Sequence, residues 1–139
     1  MPGIVIANMY EKTNSGAEAL SPWQLLNKTY EMLLVESKSL VGVVKHKVTK
    51  PDVSKTEYKV ATLKISNKIK TVMYFLESLL VEGEDFSHSM ASLYSWYLSN
   101  LDVLLDEGQS PMKRKEAATN LVKQAEGFVE IWSGMRHAG

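Results

Sequence analysis

The chain has 139 residues, of which 45% are hydrophobic and 23% charged, and its formal net charge is zero. This length suits one domain with a single core, and the composition excludes a wholly disordered or fibrous protein. Because the chain has no cysteine, disulfides, thiol nucleophiles and cysteine metal sites are excluded. No run approaches the ~20 apolar residues of a membrane span, and the start of the chain lacks the basic region of a secretory signal. We therefore expect a cytoplasmic protein without membrane insertion.

The charges are balanced overall but separated along the chain. Residues 45–70 contain eight lysines against two acids, whereas residues 77–107 contain seven acids and neither lysine nor arginine. Solvated faces and ends of helices account for such runs. A nucleic-acid surface would favour arginine and a positive net charge. We therefore expect no nucleic-acid partner.

The first two predicted elements are an N-terminal arm and a long helix. Residues 1–20 mix glycine and asparagine with isolated apolar positions, which predicts an arm. Ser21-Pro22 followed by Gln24 is a helix start, with serine as the N-cap and glutamine placed to close a capping box. Pro51 disfavours helical geometry in the residue before it. The first helix is therefore predicted over 22–48.

Three further helices follow, each with its own start or stop signal. Ser54 and Glu57 form a second capping-box pattern, and Gly83 ends a helix predicted over 55–82. A third helix is predicted over 86–106, with acids at its positive N-terminal end and Gly108 as a left-handed C-terminal cap. A Ser-Pro start at Ser110 opens the fourth helix, predicted over 111–136.

All four predicted helices carry an apolar stripe at steps of three and four residues, and no strand pattern appears. Short connections make sequential helices antiparallel neighbours. The sequence therefore predicts a single all-α domain, an antiparallel up-and-down four-helix bundle. The third helix has a wide stripe that consists of Met90, Leu93, Tyr94, Tyr97, Leu98, Leu101, Leu104 and Leu105.

Residues that could support catalysis are scattered. His88 follows Asp85 by three residues, as in dimetal carboxylate bundles, but the matching inward-facing acids are lacking on the other stripes. Neither a glycine-rich phosphate loop nor a nucleophile elbow is present. We therefore predict no catalytic residues, no metal and no cofactor. His46, which is flanked by lysines, leaves a histidine phosphotransfer module as the alternative, although it lies near a helix end.

Several short motifs together resemble those of a known family. Ser89–Tyr94, followed by Tyr97 and Leu98, is similar to a third-helix motif, and the remaining matches are spread over most of the chain. They are Met9-Tyr10, Ala19–Pro22 with Leu25 and Tyr30, and Glu126–Val129. In this combination the chain resembles the FliS-type flagellin export chaperones.

The resemblance implies a small cytoplasmic bundle that binds the C-terminal helical segment of flagellin. Such a protein prevents premature polymerisation and delivers flagellin to the flagellar export apparatus. It implies a binding protein rather than an enzyme. The identity of the flagellin, and whether the empty bundle is a homodimer, stay open.

A guest helix would lie with its apolar face in a groove of the bundle. We predict that seven residues contact this partner: Leu25, Tyr30, Met73, Leu76, Met90, Tyr94 and Tyr97. In the arm, Ile6, Met9 and Tyr10 would lie over the empty groove as a lid. We expect Tyr94 and Tyr97 at the shoulder of the third helix, with core packing as the competing interpretation. A purely structural bundle would instead show no large exposed apolar patch.

Overall fold

A computed structural model describes residues 21–138 except 51, 53 and 82, with the side chains of 22–23, 48–49 and 132–138 left out of the description. The predicted arm and its lid residues Ile6, Met9 and Tyr10 therefore lie outside the described residues. Within these limits the chain forms four helices. They are α1 (Pro22–Thr49), α2 (Lys55–Ser78), α3 (Asp85–Leu105) and α4 (Pro111–Ala138).

The helices pack as the predicted all-α four-helix bundle. α1 packs against α2 and α4, and α3 packs against α4. α2 and α3 are also neighbours, but they are the least closely packed of the adjacent pairs. Each helix thus lies beside the helices that precede and follow it, and α1 lies diagonally opposite α3.

Serine caps begin three of the helices, as the sequence predicts. Ser21 Oγ accepts from the N–H of Gln24 at 3.2 Å, and Gln24 Oε1 accepts from the N–H of Ser21 at 2.9 Å, which completes the capping box. Ser54 and Ser110 each accept from the N–H three residues further on, at 3.4 and 3.2 Å. These bonds pair amides that the first turn of a helix otherwise leaves without partners.

The helix ends differ from the prediction at both glycines. α2 ends at Ser78, four residues before the predicted position 82, because the N–H of Leu79 turns back to a carbonyl three residues earlier. Gly83 lies in the following turn, with φ of +89°. The predicted left-handed cap at Gly108 is wrong: Asp106 Oδ1 accepts the N–H of Gly108 at 2.9 Å and closes that turn instead.

The core is built from the predicted stripes of all four helices. Four small polar residues that are buried among the apolar ones each donate their hydroxyl hydrogen to a carbonyl of their own helix: Thr29, Ser37, Thr62 and Ser66. The largest fully buried apolar side chains are Tyr30, Tyr97, Leu33, Leu40, Ile69, Met73, Leu76, Leu101, Leu104 and Leu121.

Candidate partner-binding grooves

The residues predicted to contact a partner lie mainly in the core. Leu25 is half-buried. The other six are at most 2% exposed: Tyr30, Met73, Leu76, Met90, Tyr94 and Tyr97. For Tyr94 and Tyr97 this corrects the expectation of a position at the shoulder of the helix, because core packing is the arrangement observed. With this packing, a guest helix on the surface of the bundle would contact side chains that are more exposed than these six.

The two tyrosines of α3 can be buried because their hydroxyls are paired inside the bundle. Tyr94 shares a hydrogen bond with the hydroxyl of Tyr30, across the bundle on α1. Tyr97 and Ser37 Oγ are 2.7 Å apart, and Ser37 donates its own hydrogen to the carbonyl of Leu33 at 2.6 Å. Tyr97 is therefore the donor to Ser37. These pairs offset the cost of removing hydroxyls from water and tie α3 to α1.

Phe128 of α4 completes an aromatic cluster with three tyrosines. Its ring centroid lies 5.7 Å from that of Tyr30, 5.4 Å from that of Tyr94 and 6.2 Å from that of Tyr97. Burial is the main cause that raises the pKa of Tyr94 and of Tyr97, and the nearby Tyr30 raises that of Tyr94 further. Both phenols therefore stay neutral and keep their hydrogen bonds well above neutral pH.

Ser37 is a structural residue that the sequence analysis did not single out. It falls at a buried position of the α1 stripe, four residues after Leu33 and three before Leu40. A hydroxyl at such a position needs a partner in the core. That spacing was the signal that could have identified it.

A groove of about 520 Å³ lies between α2 and α3. We call it the α2–α3 groove. Its α2 wall includes Thr62, Leu63 and Ser66, and Leu105 belongs to its α3 wall. The two small side chains, together with the loose packing of this helix pair, leave room that larger residues would fill. Charges of both signs line the groove, namely Lys59, Lys70, Asp106 and Glu107.

The outer face of α2 beside this groove exposes large apolar side chains. Val60 is 60% exposed, Leu63 61% and Tyr74 57%. At 3.6 residues per turn, Tyr74 follows Leu63 by about three turns and falls on the same face. An isolated exposed apolar residue needs no explanation, but a row along one helix is typical of an interaction surface.

A second groove, of about 460 Å³, lies between α1 and α4 and reaches α3 at its floor. We call it the α1–α4 groove. Three cationic side chains line it together with apolar ones, and none of its described lining residues is acidic. The lining residues are Val41, Val44, Lys45, Leu104, Pro111, Arg114, Lys115 and Ala118.

A smaller groove of about 260 Å³ lies on the outer side of α3 and α4. Trp96 and Ile131 line it, at 52% and 38% exposure, and Gly127 leaves space in its wall. Beside it Asn100 Nδ2 donates to Gln124 Oε1 at 2.8 Å, which joins α3 to α4.

His46 and His88 lie on exposed surfaces, His46 three residues before the end of α1. Within the described part of the chain, no group of three or more histidines and acids is placed to hold a metal ion. None of the helices described is both long and apolar enough to pass through a membrane. Comparisons with family models, with curated proteins and with solved structures find no match to this chain.

Proposed function

We propose that this protein is a flagellin-binding export chaperone of the cytoplasm. It would hold the C-terminal helical segment of flagellin, prevent its premature polymerisation and deliver it to the flagellar export apparatus. The observation that carries the proposal is the convergence of the family-like motifs. Tyr30, Tyr94, Tyr97 and Phe128 come from three separate motifs, and all four meet in the aromatic cluster.

This convergence supports the resemblance because the motifs are far apart in the sequence. Tyr30 and Tyr94 are 64 positions apart and share a hydrogen bond. Burial of the stripes brings apolar rings into one core in any such bundle, so the hydrogen bond between the two tyrosines is the more specific part of this convergence. The cluster joins α1, α3 and α4, so it sets the position of the helix that forms one wall of the α2–α3 groove.

We place the guest helix in the α2–α3 groove. The pair of helices that forms it is the least closely packed, and Leu63 with its exposed neighbours on α2 offers apolar surface. An amphipathic helix binds in such a groove through the apolar side chains along one of its faces. The buried tyrosines would then support the groove wall, and the exposed residues of α2 would contact the guest.

Co-purification with flagellin tests the proposal. We expect the protein to retain full-length flagellin and to lose it when about 40 C-terminal residues are removed, a length that spans ~60 Å as helix. Removal of a similar length from the N-terminus of flagellin is the matched control and should leave binding intact. Unchanged binding to the C-terminally truncated flagellin would contradict the proposal. The same would follow if seeded flagellin polymerised equally fast with and without the protein.

A further inference from the structure

The α1–α4 groove differs from the α2–α3 groove in the sign of its charge. Lys45 and Lys115 lie at its exposed positions and Arg114 is half-buried, with no acid among its described lining residues. The α2–α3 groove has two lysines and two acids in its lining. The electrostatic potential of the α1–α4 groove therefore favours a ligand with negative charge.

Arg114 fixes part of this positive charge in place. Its Nε donates to the carbonyl of Leu104 at the end of α3, at 3.0 Å, and its Nη2 donates to the hydroxyl of Tyr58 at 3.3 Å. Both partners are uncharged, so the guanidinium keeps its full charge beside the groove. The groove also includes Pro111, the first residue of α4, where the helix dipole adds partial positive charge.

The floor of the groove is apolar and short. Val41 and Val44 of α1, Leu104 of α3 and Ala118 of α4 provide most of it. From Pro111 to Ala118 the wall of α4 spans about 10 Å, at ~1.5 Å per residue. A volume of about 460 Å³ over that length suits a few large apolar side chains of one short segment.

We propose that the α1–α4 groove docks a short apolar segment flanked by aspartates or glutamates on a partner protein. The apolar side chains would fill the floor, and the carboxylates would lie against Lys45 and Lys115. The α1–α4 groove and the α2–α3 groove lie on opposite sides of the bundle. This segment and a guest in the α2–α3 groove therefore bind without competing. The inference does not depend on flagellin being that guest.

Two synthetic peptides probe the charge preference of the groove. Both are short, fluorescently labelled and carry the same leucines at helical spacing; one has glutamates on either side of the leucines and the other has lysines. We expect the full chain to bind the glutamate peptide at least about tenfold more tightly than the lysine peptide at low salt. This difference in affinity should shrink at high salt. Equal binding of the two peptides, or no binding of either, overturns the proposal.

Charge reversal in the groove locates the binding site. Lys45→Glu combined with Lys115→Glu should weaken binding of the glutamate peptide by about tenfold and strengthen that of the lysine peptide. Lys28→Glu combined with Lys64→Glu makes the same change in net charge at exposed positions elsewhere, and is the matched control. An equal loss in both double variants overturns the proposal. Thermal unfolding of both variants establishes that the bundle stays folded.

Amide chemical shifts distinguish the α1–α4 groove from other sites and occupants. With the glutamate peptide we expect the largest changes at Val41, Val44 and Ala118. Changes centred on Leu63 would overturn the proposal. Self-association that Lys45→Glu and Lys115→Glu abolish would also overturn it, because the groove would then hold a second copy of this chain. A large rise in peptide affinity when residues 1–20 are deleted would overturn it as well, because the groove would then hold that segment. A Leu63→Glu variant should bind the glutamate peptide normally, which separates this test from that of the flagellin proposal.

Discussion

Two buried hydroxyl pairs help to hold α3 in the bundle. Tyr94 pairs with Tyr30, and Tyr97 donates to Ser37, each pair spanning from α3 to α1. Such a bond contributes only about 1 kcal/mol net, but removal of one partner leaves the other buried without its bond. The cost of a mismatch is therefore larger than the gain from the bond, and the pairs favour one alignment of the two helices.

Ser37→Ala should destabilise the bundle by about 1–3 kcal/mol, because Tyr97 loses its acceptor in the core. Urea unfolding measures the change in free energy. Ser92→Ala is the matched control, since Ser92 also donates to a carbonyl four residues earlier but is exposed, and it should cost less than about 0.5 kcal/mol. The double variant Ser37→Ala/Tyr97→Phe removes both partners and should be more stable than Ser37→Ala alone. Equal stability of the two single serine variants would contradict this account.

The raised pKa of Tyr94 and of Tyr97 predicts a loss of stability in alkali. An unfolded tyrosine ionises near pH ~10, whereas these two folded ones stay protonated. Above that pH the unfolded state releases protons that the folded state keeps, so stability falls by up to about 1.4 kcal/mol per pH unit for each tyrosine. Urea unfolding between about pH 9 and pH 11 should show this slope. Tyr97→Phe should make the decrease in unfolding free energy with pH shallower. An unchanged slope would be evidence that the buried Tyr97 does not cause this loss of stability.

At the scale of the helices, starts were easier to predict than ends. A serine cap followed by Pro22 or Pro111 acts within one turn, so the local sequence is enough to define the start. The ends depend on what closes the turn. At Gly108 the side chain of Asp106 does so, and a glycine with positive φ is not required. At Gly83 the positive φ is present, but the helix has already ended at Ser78.

The same change, glycine to alanine, should have opposite effects at two positions. At Gly83, where φ is +89°, alanine should cost about 1–2 kcal/mol because its Cβ is strained there. At Gly42, inside α1, an added Cβ meets no atom within 4 Å, and alanine should stabilise by about 0.5–1 kcal/mol. Thermal unfolding of the two variants measures both effects. A shift of both melting temperatures in one direction would refute the assignment of these backbone roles.

For the molecule as a whole, helical periodicity predicted the bundle but not its grooves. Four stripes at steps of three and four need a shared core, so the all-α fold follows from the sequence. The position of a residue in the core or in a groove depends on the spacing between two helices. Tyr94 and Leu63 show the difference, because the motif tyrosine is 2% exposed and the less conspicuous leucine is 61% exposed. Tyr94 can be buried because its hydroxyl pairs with Tyr30 across the bundle, whereas Leu63 is exposed because it lies on the outer face of α2 beside the groove.

Charge distribution at this scale also depends on the fold. Lys45 and Lys115 belong to distant stretches of a neutral chain, and only the packing of α1 against α4 places them on one groove. The order of charged residues along the sequence therefore identifies lysine-rich stretches, but it does not show which cations share a surface.

The affinity of the flagellin C-terminal segment for two matched variants tests the central claim most directly. Leu63→Glu places a charge in the α2–α3 groove, and Val35→Glu places the same charge on α1 at a residue that is also 61% exposed. Titration calorimetry should show binding weakened about tenfold or more by Leu63→Glu and unchanged by Val35→Glu, because only the first puts a carboxylate against the apolar face of the guest. Equal affinity of the two variants for the segment would contradict the claim that the α2–α3 groove holds it.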